Sequence, residues 1–190
     1  GLSVIKSFME ANGFRKGLLF TADPYSKVMD HNDKKTATLF GDGATVTLLT
    51  EDPVFDFGKF VFGSDGSKKE GIIVREDGHV HMNGRAVFTF TVRVIPNSIR
   101  KMLEKNVITL ENIDRFLLHQ GSLHIVNTIA DTLGVSREKC PFYSADYGNT
   151  VSSSVPMILA QEFNNQEMKV AVLAGFGVGL SWASTLIFRK

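Results

Sequence analysis

The sequence predicts an α/β protein. Three observations carry that prediction. Apolar residues at helical spacing alternate along the chain with short apolar runs, glycines punctuate the joins, and the order helix, strand, Gly-rich turn, strand occurs near both ends. Hydrophobic residues make up 43% of the 190 and charged residues 22%, so a core for one domain or two small ones can form.

Leu2, Ile5 and Met9, with Val4 and Phe8, follow helical spacing over residues 2–12, and Gly13 stands where a left-handed residue would end the helix. Residues 17–22, GLLFTA, read as a short buried strand. Residues 36–50 read as strand, Gly-rich turn, strand, and residues 51–79 as polar, Gly-containing loops that carry Phe55, Phe57, Phe60 and Phe62. Residues 86–95 are ambiguous. Phe88, Phe90, Val92 and Val94 alternate like a strand, residues 100–106 look helical, and Pro96 between them would kink or break a helix.

Residues 115–119, RFLLH, read as a strand that ends in polar residues. Ser122 can cap a helix that turns Ile125, Val126, Ile129 and Leu133 inward and stops at Gly134. Val155, Ile158, Leu159 and Phe163 mark another helix, and residues 170–176 and 181–188 the last two strands. The order in residues 2–50, with FGDGA as its turn, recurs in 153–188 with FGVGL. A duplicated α/β unit would produce that echo, and so would the common alternation of helix and strand.

Composition narrows the function. Net charge is +1 with Lys and Arg scattered, so nothing argues for nucleic acid. No run of about 18 apolar residues predicts a membrane span. Cys140 is the only cysteine, which excludes an internal disulfide framework and suits a reducing compartment. Placed before Pro141, it reads as a small buried hydrophobe. His79 and His81 could face the same way, but no further ligand follows at metal-binding spacing, so no metal site is expected. The chain opens Gly1-Leu2-Ser3, with no initiator Met, and enters an amphipathic segment at once, as a cut or processed chain would.

His119 stands at a strand end, where ligands and chemistry gather in α/β folds, though on its own a buried histidine capping a strand is the plainer reading. Asn149 follows Gly148 and on its own is a turn residue. The run Gly175–Gly179 is either a tight link between strands or a loop whose backbone N–H groups hold an oxyanion. Gly41-Asp42-Gly43 lacks the full G-x-G-x-x-G, so it reads as a structural turn with Asp42 bonding local backbone.

Taken in order, LFGDGA (39–44), MNGRAVF (82–88), HQGSLHIV (119–126), YGNTVSSSVP (147–156) and GFGVGLSW (175–182) resemble the C-terminal part of β-ketoacyl-acyl-carrier-protein synthase III, a family of thiolase-superfamily condensing enzymes. The resemblance covers nearly the whole chain. It implies a thiolase-like fold, layered α-β-α-β-α, with residues 1–78 the end of the first half and 79–190 the second half. It makes 87–105 one long helix despite Pro96, and it puts the family's nucleophilic cysteine a few residues before Gly1, so that the chain alone should not condense anything.

The resemblance further implies that His119 and Asn149 are catalytic, donating hydrogen bonds to a malonyl thioester oxygen, and that Gly177 and Val178 belong to an oxyanion loop. Lys34, Gly84, Arg85, Gly121 and Ser122 would contact coenzyme A or pantetheine, and His124 would help dock a carrier protein. It implies acyl-CoA and acyl carrier protein as partners, coenzyme A thioester as substrate with no metal or redox cofactor, a homodimer, a cytoplasmic location and a place in fatty acid biosynthesis. Departures accompany it. The usual HQANLR is here HQGSLH, Lys34 and Arg85 stand where Arg and Asn are common, and Val178 replaces a common Gly. These keep open a related acyltransferase of specialised metabolism, or a non-catalytic partner domain.

Overall fold

The computed structural model describes residues 1–190. Helix α1 spans Leu2–Asn12 and ends at Gly13, whose φ of 68° is left-handed, as its position requires. Strand β1, Lys16–Asp23, pairs antiparallel with β2, Gly43–Thr50, over their full lengths. Between them, Lys34–Ala37 forms a one-turn helix α2 where a strand was expected. Asp33 explains it: its side chain accepts from the Lys35 N–H and caps the turn.

Residues 51–79 hold more order than their polarity predicts. Strands β3 (Phe55–Phe57) and β4 (Val61–Ser64) lie end to end along one edge of the last strand, and β5 (Ile72–Val74) pairs with β6 (Val80–Met82). The edge they cover lies more than a hundred residues away in the chain, so local pattern alone could not reveal it.

Helix α3 runs unbroken from Gly84 to Asn106 with Pro96 inside, as the resemblance requires and the alternation does not. A mid-helix proline costs about 3 kcal/mol. Complete or near-complete burial of Ile95, Ile99, Met102 and Leu103 on the same helix outweighs it, at roughly 1.5–3 kcal/mol for each side chain. Strand β7 (Arg115–Leu118), helix α4 (Leu123–Leu133), helix α5 (Ser154–Glu162) and the hairpin strands β8 (Val170–Gly177) and β9 (Ser181–Arg189) complete the chain.

The main sheet has the order β3-β9-β8-β7 with β4 also on β9, and β7–β8 is its parallel pair. One face packs on α3 and α4 through Phe116, Leu118, Val172, Ala174 and Leu186. The other packs on α5 through Leu117, Leu173, Ile187 and Ile158, with Leu2 of α1 against the same cluster. Burial on both faces is why β7 and β8 are continuous apolar runs. The sequence echo is structural: α1-β1-β2 and α5-β8-β9 are both a helix followed by an antiparallel pair. The connections differ, one a wandering segment from Pro24 to Asp42 and the other a tight turn.

Strand β1 is not the buried strand expected; its residues alternate between exposed and half-buried. Its Leu18 and Phe20 face outward beside their cross-strand partners Leu48 and Val46, and all four are more than half exposed. The expected outcome is self-association of the 190-residue chain through this face. Sedimentation velocity checks it: Phe20→Lys with Leu48→Lys should shift the chain toward monomer, and a wild-type chain that stays monomeric at roughly tens of micromolar contradicts it.

Candidate active site

Strand β7 delivers His119 just past its last residue. The His119 N–H donates to the Ala174 carbonyl at 2.8 Å, continuing the parallel ladder. Gln120 is an anchor: its amide donates to the carbonyls of Leu118 and Pro141 and accepts from the Tyr143 N–H, which ties residues 141–143 to the strand end. The imidazole of His119 meets Phe176 of β8 edge to face, ring centres 5.1 Å apart. Its Nδ1 lies 2.6 Å from Ser154 Oγ, and its Nε2 makes no hydrogen bond within the protein. Burial pushes its pKa down from 6.5 to about 4, so the ring is neutral at pH 7.

Asn149 comes from the turn before α5. Its main chain is fixed on both sides by the 39–41 segment: Asn149 N–H donates to the Leu39 carbonyl at 2.8 Å, and Gly41 N–H donates to the Asn149 carbonyl at 3.0 Å. The backbones run so close that a Cβ on Gly41 would sit 1.9 Å from the Tyr147 carbonyl oxygen, and one on Gly148, at φ 73°, 2.9 Å from that of Leu39. The FGDGA motif is therefore glycine-rich for close backbone approach. Asp42 does not bond local backbone as expected. It accepts from the N–H and hydroxyl of Ser26, which hold its carboxyl below the usual carboxylate range. The Asn149 Oδ1 accepts from Val151 N–H at 2.9 Å, where Val151 takes a left-handed φ of 53°. That contact assigns the amide orientation and leaves Nδ2 without a protein acceptor.

His119 and Asn149 line one cavity, together with Gly121, Gly177 and the apolar side chains of Phe40, Phe90 and Phe176. No carboxylate, ammonium or guanidinium lines it. A larger cleft of about 410 Å³ lies between α1 and residues 57–60. Of its polar side chains, Lys6 pairs with Glu10 and the Asn106 amide bonds the main chain of Lys59 and Met102, while the Ser3 and Ser7 hydroxyls and the Lys59 ammonium have no partner in the protein.

The remaining sequence-marked residues lie outside the cavity lining. Gly84 and Arg85 open α3 between Met82 and Val87, which do line it, and Lys34 opens α2 beside β6. Ser122 caps α4, accepting from Ile125 N–H at 3.3 Å. His124 is exposed and stacks flat on Phe88, ring centres 4.8 Å apart. Val178 is exposed in the β8–β9 turn. Cys140 is buried, and burial pushes its thiol up to about 12. His81 pairs with Asp77, and no group of three metal-ligating side chains is present. Sequence reasoning missed Ser154, whose only visible signal was its place in a serine run before a helix.

Paired helix–hairpin units, with a strand-end histidine and a Gly-turn asparagine meeting at their seam, define a thiolase-like α/β protein. The family profile described as 3-oxoacyl-[acyl-carrier-protein (ACP)] synthase III matches residues 1–66, and the profile for the C terminal of the same enzyme matches 103–188. The chain is 36% identical over 190 residues to β-ketoacyl-[acyl-carrier-protein] synthase III of Staphylococcus epidermidis, covering 96% of this chain and 60% of that protein. It is 34% identical over 205 residues to the enzyme of the same name from Streptococcus mutans, covering 98% and 63%. The crystal structure of the Thermus thermophilus β-ketoacyl-[acyl carrier protein] synthase III superposes with a TM-score of 0.92 at 30% identity, over 100% of this chain and 64% of that one. The chain belongs to the 3-oxoacyl-[acyl-carrier-protein] synthase III family. It spans about three-fifths of the length of these relatives.

Two outcomes follow from the site's electrostatics. Between pH 6.5 and about 4 the unfolded chain binds a proton on His119 that the folded chain refuses. Stability that is fully present above pH 6.5 is therefore lost as pH falls toward 4, and denaturant unfolding at pH 7 and pH 5 should show a larger loss for wild type than for His119→Ala. With its thiol buried and its pKa raised to about 12, Cys140 should stay unlabelled by iodoacetamide and unacylated by acetyl-CoA at pH 7.5, as intact-mass spectrometry would read.

Proposed function

We propose that the protein takes part in decarboxylative condensation, the reaction that joins an acyl thioester to a malonyl thioester in fatty acid biosynthesis. One observation carries the reading: His119 and Asn149 line the same uncharged cavity, and His119 Nε2 and Asn149 Nδ2 have no hydrogen-bond partner in the protein. Two neutral donors converging on one apolar space suit a carbonyl oxygen that gains negative charge, and they need not lose a proton to stabilise it. In this reading the malonyl carboxylate leaves as carbon dioxide. The electron pair of the broken C–C bond passes into the thioester carbonyl, and the enolate oxygen accepts from Nε2–H of His119 and Nδ2–H of Asn149. The enolate carbon then attacks an acyl thioester on a cysteine, the thiolate departs, and a β-ketoacyl thioester forms.

Burial keeps His119 neutral across the physiological range, so it carries no charge that would favour the malonate ground state. Gly121 and Gly177 line the cavity beside His119 and Asn149, and a pantetheine arm would pass along them. Residues 1–78 form the end of the first thiolase-like half and 79–190 the second. Acyl-CoA and an acyl carrier protein are the substrates, the intact enzyme is a cytoplasmic homodimer, and the chemistry needs no metal or redox cofactor. No helix of the chain is long and apolar enough to cross a membrane.

The test isolates the half-reaction these residues would run. The chain should convert malonyl-CoA to acetyl-CoA, followed by liquid chromatography, and His119→Ala and Asn149→Ala should each lower the rate by about 10²–10³-fold. A wild-type chain that leaves malonyl-CoA intact, or variants that match wild type, would sink the reading.

A further inference from the structure

We propose that Ser154 is a positioning residue that fixes the proton of neutral His119 on Nε2, and that the 149–154 turn thereby orients both donors of the cavity at once. Ser154 is fully buried at the start of α5, and its Oγ makes one hydrogen bond, the 2.6 Å contact to His119 Nδ1. That bond has two possible senses. If Nδ1–H donated to Oγ, the buried serine hydroxyl would have no acceptor for its own hydrogen, and Nε2 would face the cavity as a bare acceptor. If Oγ–H donates to Nδ1, the hydroxyl hydrogen and the Nδ1 lone pair satisfy each other and the ring carries its proton on Nε2. An unsatisfied buried donor costs about 1–3 kcal/mol, whereas a spare lone pair on a hydroxyl oxygen costs little, so the second sense is favoured.

Protonation of the ring would abolish the choice, but nothing nearby promotes it. The cavity residues around His119 carry no charge, and Phe176 presents a ring at 5.1 Å. The imidazole is therefore neutral, and its tautomer is the remaining variable that Ser154 decides.

The same turn performs the matching service for Asn149. Val151 N–H holds Oδ1, which turns Nδ2 toward the cavity. Two short contacts from one segment of six residues, Val151 N–H and Ser154 O–H, thus select an N–H rather than a lone pair at both positions. The turn is itself anchored to the first half. Ser152 bonds Asp23 through its main chain and its hydroxyl, and Ser153 Oγ meets Thr21 Oγ at 2.9 Å, which in turn meets Thr45 Oγ at 2.6 Å.

This inference rests on the condensing reading for its meaning, but its test does not depend on turnover. Long-range ¹H–¹⁵N correlation spectra of the ¹⁵N-histidine-labelled chain at pH 7 should show His119 in the Nε2–H form alone. Ser154→Ala should give a mixture of the two neutral tautomers, Ser154→Thr, which keeps a hydroxyl, should restore the Nε2–H form, and malonyl-CoA decarboxylation should fall about tenfold in the alanine variant and recover in the threonine variant. An Nδ1–H tautomer in wild type overturns the proposal without any variant, and so does an unchanged tautomer in Ser154→Ala. Should the chain leave malonyl-CoA untouched while the tautomers behave as stated, the positioning role stands and the catalytic reading falls.

Discussion

The main chain of Asn149 is hydrogen-bonded on both sides into the 39–41 segment, and the residues that follow it grip β1 and β2 by their hydroxyls. Asn149 and Ser154 both lean on that seam. It fixes where Asn149 sits, and it fixes the start of α5, which carries Ser154 to the imidazole delivered by β7. A single hydrogen bond contributes about 1 kcal/mol net. The set acts through geometry as much as energy, because a donor displaced by an ångström no longer points at a developing charge. The site thus belongs to neither helix–hairpin unit alone. It forms where one unit's loop is stitched to the other's sheet.

The interior behind the seam is arranged to stay uncharged. Burial acts in opposite senses on two groups with the same result: it lowers His119 and raises Cys140, and both are neutral at pH 7. Glu162 is the exception. Burial drives its carboxyl upward, but hydrogen bonds from Tyr143 and Asn165, with Arg115 nearby, outweigh that and hold it below the usual range. A buried carboxylate is tolerated where donors surround it at the foot of β7, and the opposite end of that strand offers its histidine only neutral partners. Donors in such a low-dielectric space interact more strongly with a new charge than the same groups would in water.

What the sequence made legible follows from the range of the forces involved. Helices α1, α4 and α5 and the strands β7 to β9 rest on local periodicity and local caps, such as Ser122 and Gly134, and their residues announce them. Strands β3 and β4 exist because β9 offers an edge, and no neighbour of Phe55 or Val61 in the chain says so. Helix α3 shows the reverse: its residues 86–95 alternate like a strand and include the approach to Pro96, yet core contacts impose a helix. His119 and Asn149 were visible as candidates from motif and order. Ser154 was invisible because its meaning is a contact with a residue 35 positions away, and a serine before a helix is ordinarily a cap.

The seam also explains why the conspicuous glycine motif is not a ligand cradle. Two backbones can approach as closely as 39–43 and 147–150 do only where side chains are absent, and Gly41 and Gly148 supply that absence from opposite sides. A side chain at either position would force the segments apart and carry Asn149 with them, even though neither glycine need touch a substrate. Backbone proximity here sets where the Asn149 carboxamide sits. Two apolar clusters hold α3, α4 and α5 on the main sheet and a third gathers Met29, Phe40 and Val80, while the polar stitches and bare glycines determine where the carboxamide sits relative to the imidazole.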